Sequence, residues 1–184
     1  MPSRGWAAII GTVHGSSHGR GPDLRLRPLG PQDRELSAQV GQPEVAGEWD
    51  SFDDPAGDML PSARFGGATL VIELADGTAA GVVSYIRVPY GPNERSLAYR
   101  IGITVLPAHR RRGVGAAAQR MLADQLFRES RANRVEADTD VGNIPEQRAL
   151  ERAGFTREGV VRGAQWRRGA WHDRILYGRL RSDP

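Results

Sequence analysis

The chain has 184 residues, 39% of them hydrophobic, with 23 Gly, 12 Pro and a net charge of +3. That length suits one domain, since single domains commonly run to about 100–200 residues. All 25 basic residues are arginine and there is no cysteine, which excludes a pyridoxal Schiff base, a phosphate-loop lysine, a thiol nucleophile, a disulfide and a cysteine-zinc site.

Residues 1–22 carry Gly, Ser, His14 and His18 without an acid. This stretch is expected to be a flexible tail, with residues 23–184 forming one domain. Two of the four histidines fall in that tail, so no metal centre is expected. No apolar run approaches the ~20 residues of a membrane helix, and the start lacks a signal-peptide core. A soluble, cytoplasmic protein with no membrane contact is expected.

Leu24-Arg25-Leu26-Arg27-Pro28-Leu29 alternates as a strand does. Pro31 suits the opening of a helix over 31–40. Residues 41–62 hold Glu44, Glu48, Asp50, Asp53, Asp54 and Asp58 without a base, and Pro43, Pro55 and Pro61 break them into short pieces. Residues 68–74 read as a strand, Asp76-Gly77 as a hairpin turn, and 81–88 as the return strand. Tyr90-Gly91-Pro92-Asn93 marks another turn before a strand over 96–105. The pattern then changes to a helix over 113–128, a strand over 134–139 and a short helix over 145–153 ending at Gly154. Strands over 155–161 and 171–180 close the chain around an Arg/Gly loop.

The segment most informative about chemistry is Val105-Leu106-Pro107-Ala108-His109-Arg110-Arg111-Arg112-Gly113-Val114-Gly115-Ala116. A strand ends, arginines follow, and glycines open a helix. A helix start leaves backbone N–H groups unpaired and carries partial positive charge. Small residues let an anion approach that backbone, and a pyrophosphate is its natural guest. As an isolated signal, Gly-x-Gly also serves a plain tight turn. Gly113 to Ala118 fits the dinucleotide pattern GxGxxA, with Glu136 downstream. That fold, however, runs its strand almost directly into the first glycine. Here Pro107 and three arginines intervene, and too little chain follows to complete such a sheet.

Arg110-x-x-Gly113-x-Gly115-Ala116, preceded by Val105-x-Pro107, resembles the acyl-CoA motif of the GNAT acetyltransferase superfamily. Asn143-x-x-Glu146 through Arg152-Ala153-Gly154-Phe155 is similar to that family's second motif. The opening Leu26-Arg27-Pro28-Leu29 and the tail through Glu158-Gly159, Trp171-His172-Asp173 and Tyr177 resemble its ribosomal-protein-type (RimJ/RimL-like) branch. The resemblance implies one α/β (α+β) domain: a mixed, mostly antiparallel sheet flanked by helices, with a parallel strand pair splayed apart for acyl-CoA. It implies acetyl transfer from acetyl-CoA to an amine without a metal, with a homodimer as an allowed assembly.

Carried over, backbone groups at Ile103 and Val105 would pair with pantetheine amides. N–H groups from Arg111 through Arg112, Gly113, Val114 and Gly115 to Ala116 would hold the pyrophosphate. Asn143 would touch the pantetheine arm or order the loop beside it. Arg110, Arg111, Arg112 and Arg148 could reach phosphates, because arginine makes bidentate phosphate contacts. Many family members place a tyrosine acid where this chain has Leu150, a serine where it has Glu146, and a glutamate where it has Arg100.

The amine must lose a proton to attack, so a base or water chain is required. Asp138, beside the expected split, is one candidate, although a strand-end hydrogen bond is its plainer role. His172 is another, because an ordinary histidine titrates in the useful range. Tyr99 is a candidate donor on a half-buried strand. Trp49, Phe52 and Trp166 could line an acceptor cleft or pack in a core. Asp53 and Asp54 belong to the acidic segment, which would draw a cationic acceptor or form a solvated loop, its plainer role. Peptide α-amines, amine metabolites and amine-bearing antibiotics all fit. Succinyl-CoA as donor, a non-catalytic acyl-CoA-binding module and a nucleic-acid-binding domain are the competing readings. Nucleic acid is not an expected partner, since the net charge is only +3 and no recognition motif is present. Replacing Asp53 and Asp54 with Asn is expected to raise the acceptor KM in a salt-dependent way; steady-state kinetics with an unchanged KM would overturn the acidic-funnel reading.

Overall fold

The computed structural model describes residues 13–14, 21–47, 49 and 66–184. Most of the expected tail and the acidic stretch 50–65 lie outside these residues. Val13–His14 (β1) is described, and its backbone pairs with Leu26 and Arg25. The expected tail therefore contributes a two-residue edge strand.

The alternation at the start of the domain becomes strand β2, Leu24–Pro28. Leu24 and Leu26 enter the core, while Arg25 and Arg27 turn to the opposite face. There Arg25 and Arg27 both engage the carboxylate of Glu73. Arg27 also clamps Asp33 with two bonds of 2.8 Å. The expected helix over 31–40 is a 3-10 turn, Pro31–Asp33, followed by α1, Arg34–Val40. A single further turn, α2, spans Pro43–Ala46.

Strands β3 (Ala68–Leu74), β4 (Ala79–Pro89) and β5 (Leu97–Val105) form the antiparallel meander. Helix α3, Val114–Glu129, then crosses back over β5 and β2. Strand β6, Arg134–Asp140, runs parallel to β5. Helix α4, Ile144–Arg152, packs against α3, β6 and the following strand. Strands β7 (Thr156–Arg167) and β8 (Ala170–Leu180) complete a sheet of order β1-β2-β3-β4-β5-β6-β8-β7. The last hairpin is longer than the pattern predicts. Arg168 and Gly169 both take positive φ, 51° and 71°, and a two-residue turn of that kind lets both strands run to its edge.

The core lies between the sheet and the two long helices. Val114, Ala118, Leu122 and Leu126 of α3 and Leu150 of α4 pack with Ile72, Val83, Ile101, Val135 and Tyr177. The opposite face of β5 and β6 is polar. Glu136 is 0% exposed there. Its Oε1 accepts from Arg100 Nε (2.9 Å) and Nη2 (2.6 Å). Its Oε2 accepts from the Tyr90 hydroxyl (2.6 Å) and Arg134 Nε (2.9 Å). Arg134 continues to Glu158 with two bonds of 2.6 Å.

Burial pushes the Glu136 carboxyl up, but the bonds from Tyr90, Arg134 and Arg100 together outweigh it and leave its pKa lowered. Hydrogen bonds from Arg27 likewise hold Asp33 and Glu73 below the usual carboxylate range. A depressed carboxylate stabilises the fold fully above its unfolded pKa, about 4.3 for Glu, and that contribution is lost as the pH falls through the folded value. Glu136→Leu should cost about 3 kcal/mol at pH 7, because it removes the buried carboxylate to which Arg100, Tyr90 and Arg134 all donate. Urea melts should show the gap to wild type narrowing below about pH 4; a gap that does not change with pH would contradict this assignment.

Candidate active site

Strands β5 and β6 begin side by side and then part. Their pairs are Tyr99↔Val135 and Arg100↔Glu136. Beyond them, β5 stays paired with β4 as far as Val105, and β6 stays paired with β8 as far as Asp140. Ile103 and Val105 therefore line one edge of a V-shaped split, and Ala137 to Asp140 the other. A strand edge offers backbone N–H and C=O groups to whatever enters beside it.

The loop after Val105 leads to the mouth of this split. A 3-10 turn, Pro107–His109, is followed by Arg111 with φ 60° and Gly113 with φ 80°. Left-handed steps of this kind can turn successive N–H groups toward one side, as in an anion nest. Gly113 is the N-cap of α3, and the first intrahelical bond there runs from Ala117 N to Gly113 O. The N–H groups of Val114, Gly115 and Ala116 precede it and have no helical acceptor. Gly115 answers a different need. A Cβ built there would meet nothing closer than 3.9 Å, with Gln119, Ile103 and Val105 around it. The protein's own packing does not demand a glycine at that point, because a Cβ would make only ordinary van der Waals contacts there. The residues present thus fit the pyrophosphate and upper arm of an acyl-CoA.

The flanking candidates divide. Arg110 turns back, donating from Nε to the Val105 carbonyl (2.9 Å) and from Nη2 to the Val45 carbonyl, so it braces the loop against the α1–α2 region. Arg111, Arg112 and Arg148 are exposed. The Asn143 side chain caps α4, accepting from Glu146 N at 3.3 Å; it orders the loop after β6. Gln119 escaped the sequence reading. It is 1% exposed, and its Nε2 has no partner among the described residues.

On the polar face beyond the split, Asp138 Oδ2 accepts from Arg174 Nε at 2.7 Å, and Oδ1 lies 3.6 Å from Arg100. His172 Nε2 lies 3.0 Å from the Arg167 carbonyl, with Nδ1 3.8 Å from Asp140 Oδ2. Arg167 is 2% exposed and is the hub here. Its guanidinium donates to Asp140 and to the Trp49 carbonyl and lies 5.8 Å from the centre of the Trp49 ring. That ring rests on Gly142, where a Cβ would come within 2.9 Å of it. Asp140, Arg167, His172 and Trp49 thus meet at the end of β6.

Sequence reasoning selected Trp49 and His172 but not Asp140 or Arg167. Their pairing joins positions 27 residues apart, and no local pattern signals it. Trp166 stands apart, half exposed, edge-on to Trp171 at 5.4 Å. Tyr99 lies at the closed end of the strand pair, buried edge-to-face against Tyr85 at 5.5 Å. Phe52, Asp53 and Asp54 lie outside the described residues.

The two glycines should respond differently. Gly113→Ala forces a side chain into left-handed backbone, at about 1–2 kcal/mol. Gly115→Ala adds a methyl to unobstructed helical backbone and should leave stability equal or raise it by up to about 1 kcal/mol. Chemical melts of the two variants check this; equal losses would show that Gly115 also serves the fold.

Comparison with known proteins agrees with this geometry. Residues 23–156 match the model of the acetyltransferase (GNAT) domain. A curated relative, the probable N-acetyltransferase YjcK of Bacillus subtilis (strain 168), is 29% identical over 113 residues, 61% of each chain. Among solved structures, Mycobacterium smegmatis RimJ in complex with CoA-disulfide superposes with a TM-score of 0.71 at 24% identity, covering 87% of this chain and 83% of that one. A ribosomal-protein alanine acetyltransferase from Vibrio fischeri gives 0.69 at 19% identity, covering 87% and 94%. With its splayed strands, its anion nest and a family match over most of its length, the chain belongs to the GNAT acetyltransferase family.

Proposed function

We propose that this enzyme moves an acetyl group from acetyl-CoA to a primary amine by direct attack, without a covalent enzyme intermediate. The observation that carries the reading is the continuity of split and nest. One strand, β5, supplies an open edge and leads within a single loop to the unpaired N–H groups of α3. Those N–H groups, with Arg111 and Arg112, hold the pyrophosphate. The edge at Ile103 and Val105 pairs with the pantetheine amides, and a backbone N–H of that edge donates to the oxyanion formed on attack.

The acceptor enters from the polar face, between Asp138 and the Trp49–Arg167–Asp140 wall. Asp138 is engaged by arginines. His172 is partly exposed, and its Nδ1 stands beyond direct bonding distance of Asp140. In this reading His172 relays the amine proton to solvent through water, and the leaving thiolate takes a proton from water. The acceptor is a peptide or protein α-amine, or a small cationic amine drawn by the acidic segment. The likeness to the ribosomal-protein-S5-alanine acetyltransferase of Vibrio fischeri makes a ribosomal-protein alanine the first acceptor to try.

Thermal unfolding tests the donor. A ligand that binds only the folded state, at 100 times its Kd, adds roughly 2.7 kcal/mol of stability. Acetyl-CoA should raise Tm clearly and NAD should not. A larger shift with succinyl-CoA would move the reading to that donor. No shift with any acyl-CoA, in protein that melts cooperatively, would overturn it.

A further inference from the structure

Gln119 lies one helical turn beyond Gly115, on the same face of α3, and helical side chains lean back toward the N-terminus. Its neighbours along that face, Ala118, Leu122 and Leu126, are buried and apolar. A leucine or methionine would pack there without burying a polar group. Instead the chain buries a carboxamide whose Nε2 has no partner among the described residues. The site of the missing Gly115 Cβ is 3.9 Å from that Nε2, and equally 3.9 Å from Ile103 Cδ1 and Val105 Cγ2. The unpaired donor therefore stands between the anion nest and the edge of the split, where the arm of a bound acyl-CoA would pass. No described residue bonds to it.

We propose that Gln119 donates a hydrogen bond from Nε2 to an amide carbonyl of the pantetheine arm. This rests on the acyl-CoA reading above. An amide carbonyl leaving water needs a donor. The strand edges supply backbone donors from the sheet side, and a glutamine amide carries two N–H groups to add from the helix side. A turn of the long side chain about its own torsions brings the donor to the arm. The buried unpaired amide is a cost to the free protein that the ligand removes, so binding and stability are expected to pull in opposite directions at this position.

The test is calorimetric titration of wild type, Gln119→Leu and Gln119→Met with CoA and with adenosine bisphosphate. The latter keeps the nucleotide and phosphates but lacks the arm. Both variants should weaken CoA about tenfold, leave adenosine bisphosphate unchanged, and melt no lower than wild type. Unchanged CoA affinity in both variants would overturn the assignment while leaving the acyl-CoA reading standing. Equal losses for both ligands would also overturn it, as damage to the nest. A wild-type protein that binds neither ligand would remove the acyl-CoA reading itself, and this inference with it.

Discussion

Two backbone pairs, Tyr99↔Val135 and Arg100↔Glu136, join the meander of β1–β5 to the β6–β8–β7 half of the sheet. So short a parallel joint needs reinforcement, and each face supplies it differently. On the apolar face, α3 lays Val114, Leu122 and Leu126 in one cluster with Tyr99, Ile101 and Val135. On the polar face, Glu136 ties Arg100 of β5 to Arg134 of its own strand and to Tyr90. Arg100 also approaches Asp138, one step further along β6, and so straps the start of the split. Beyond that strap the edges of β5 and β6 no longer pair with each other. The opening exists because the closed end is held from both faces.

What was legible in the sequence follows the range of the interactions involved. The strand–loop–helix unit around Gly113 and Gly115 could be read because its causes are local: a strand end, left-handed backbone and a helix start. The order of strands could be read for a similar reason, since Asp76-Gly77 and the change from alternation to helical spacing lie in consecutive residues. The reading weakened where a side chain's partner is remote. Arg110 sits in the motif as a phosphate ligand would, yet its guanidinium goes to the carbonyls of Val105 and Val45. Asp138 stands beside the split as a base would, yet Arg174 from β8 engages it. Tyr99 lies on the correct strand but at its closed end.

The all-arginine composition now has a physical consequence, whatever its origin. The buried acids among the described residues are Asp33, Glu73, Glu136 and Asp140, and each meets at least one guanidinium. A planar fork with five donors can serve two acids or a carboxylate and a carbonyl at once. Arg27 bridges Asp33 and Glu73; Arg134 bridges Glu136 and Glu158; Arg167 bridges Asp140 and the Trp49 carbonyl. A lysine's compact ammonium cannot span such pairs with fixed geometry. The polar face of the sheet is thereby pinned strand to strand by side chains as well as by its ladder.

That pinning also narrows where a rate enhancement could come from in the proposed reaction. The carboxylates nearest the split are already engaged by arginine, whose charge favours their ionised form and makes them weaker bases. Leu150, standing where relatives in this family often carry a tyrosine acid, is 0% exposed and part of the core. Dedicated acid and base groups are therefore scarce, while positioning is abundant: a rigid nest, two strand edges held at their base and a wall fixed by Arg167. Holding reactants in line can supply about 7–11 kcal/mol of the barrier, whereas a positioned acid or base contributes typically about 10²–10⁴-fold, or roughly 3–5 kcal/mol. A thioester already activates its acyl carbon, so a site that aligns an amine with it and cradles the oxyanion can work with water as the proton carrier. In the proposed acetyl transfer, geometry would carry the larger share of the work on this sheet.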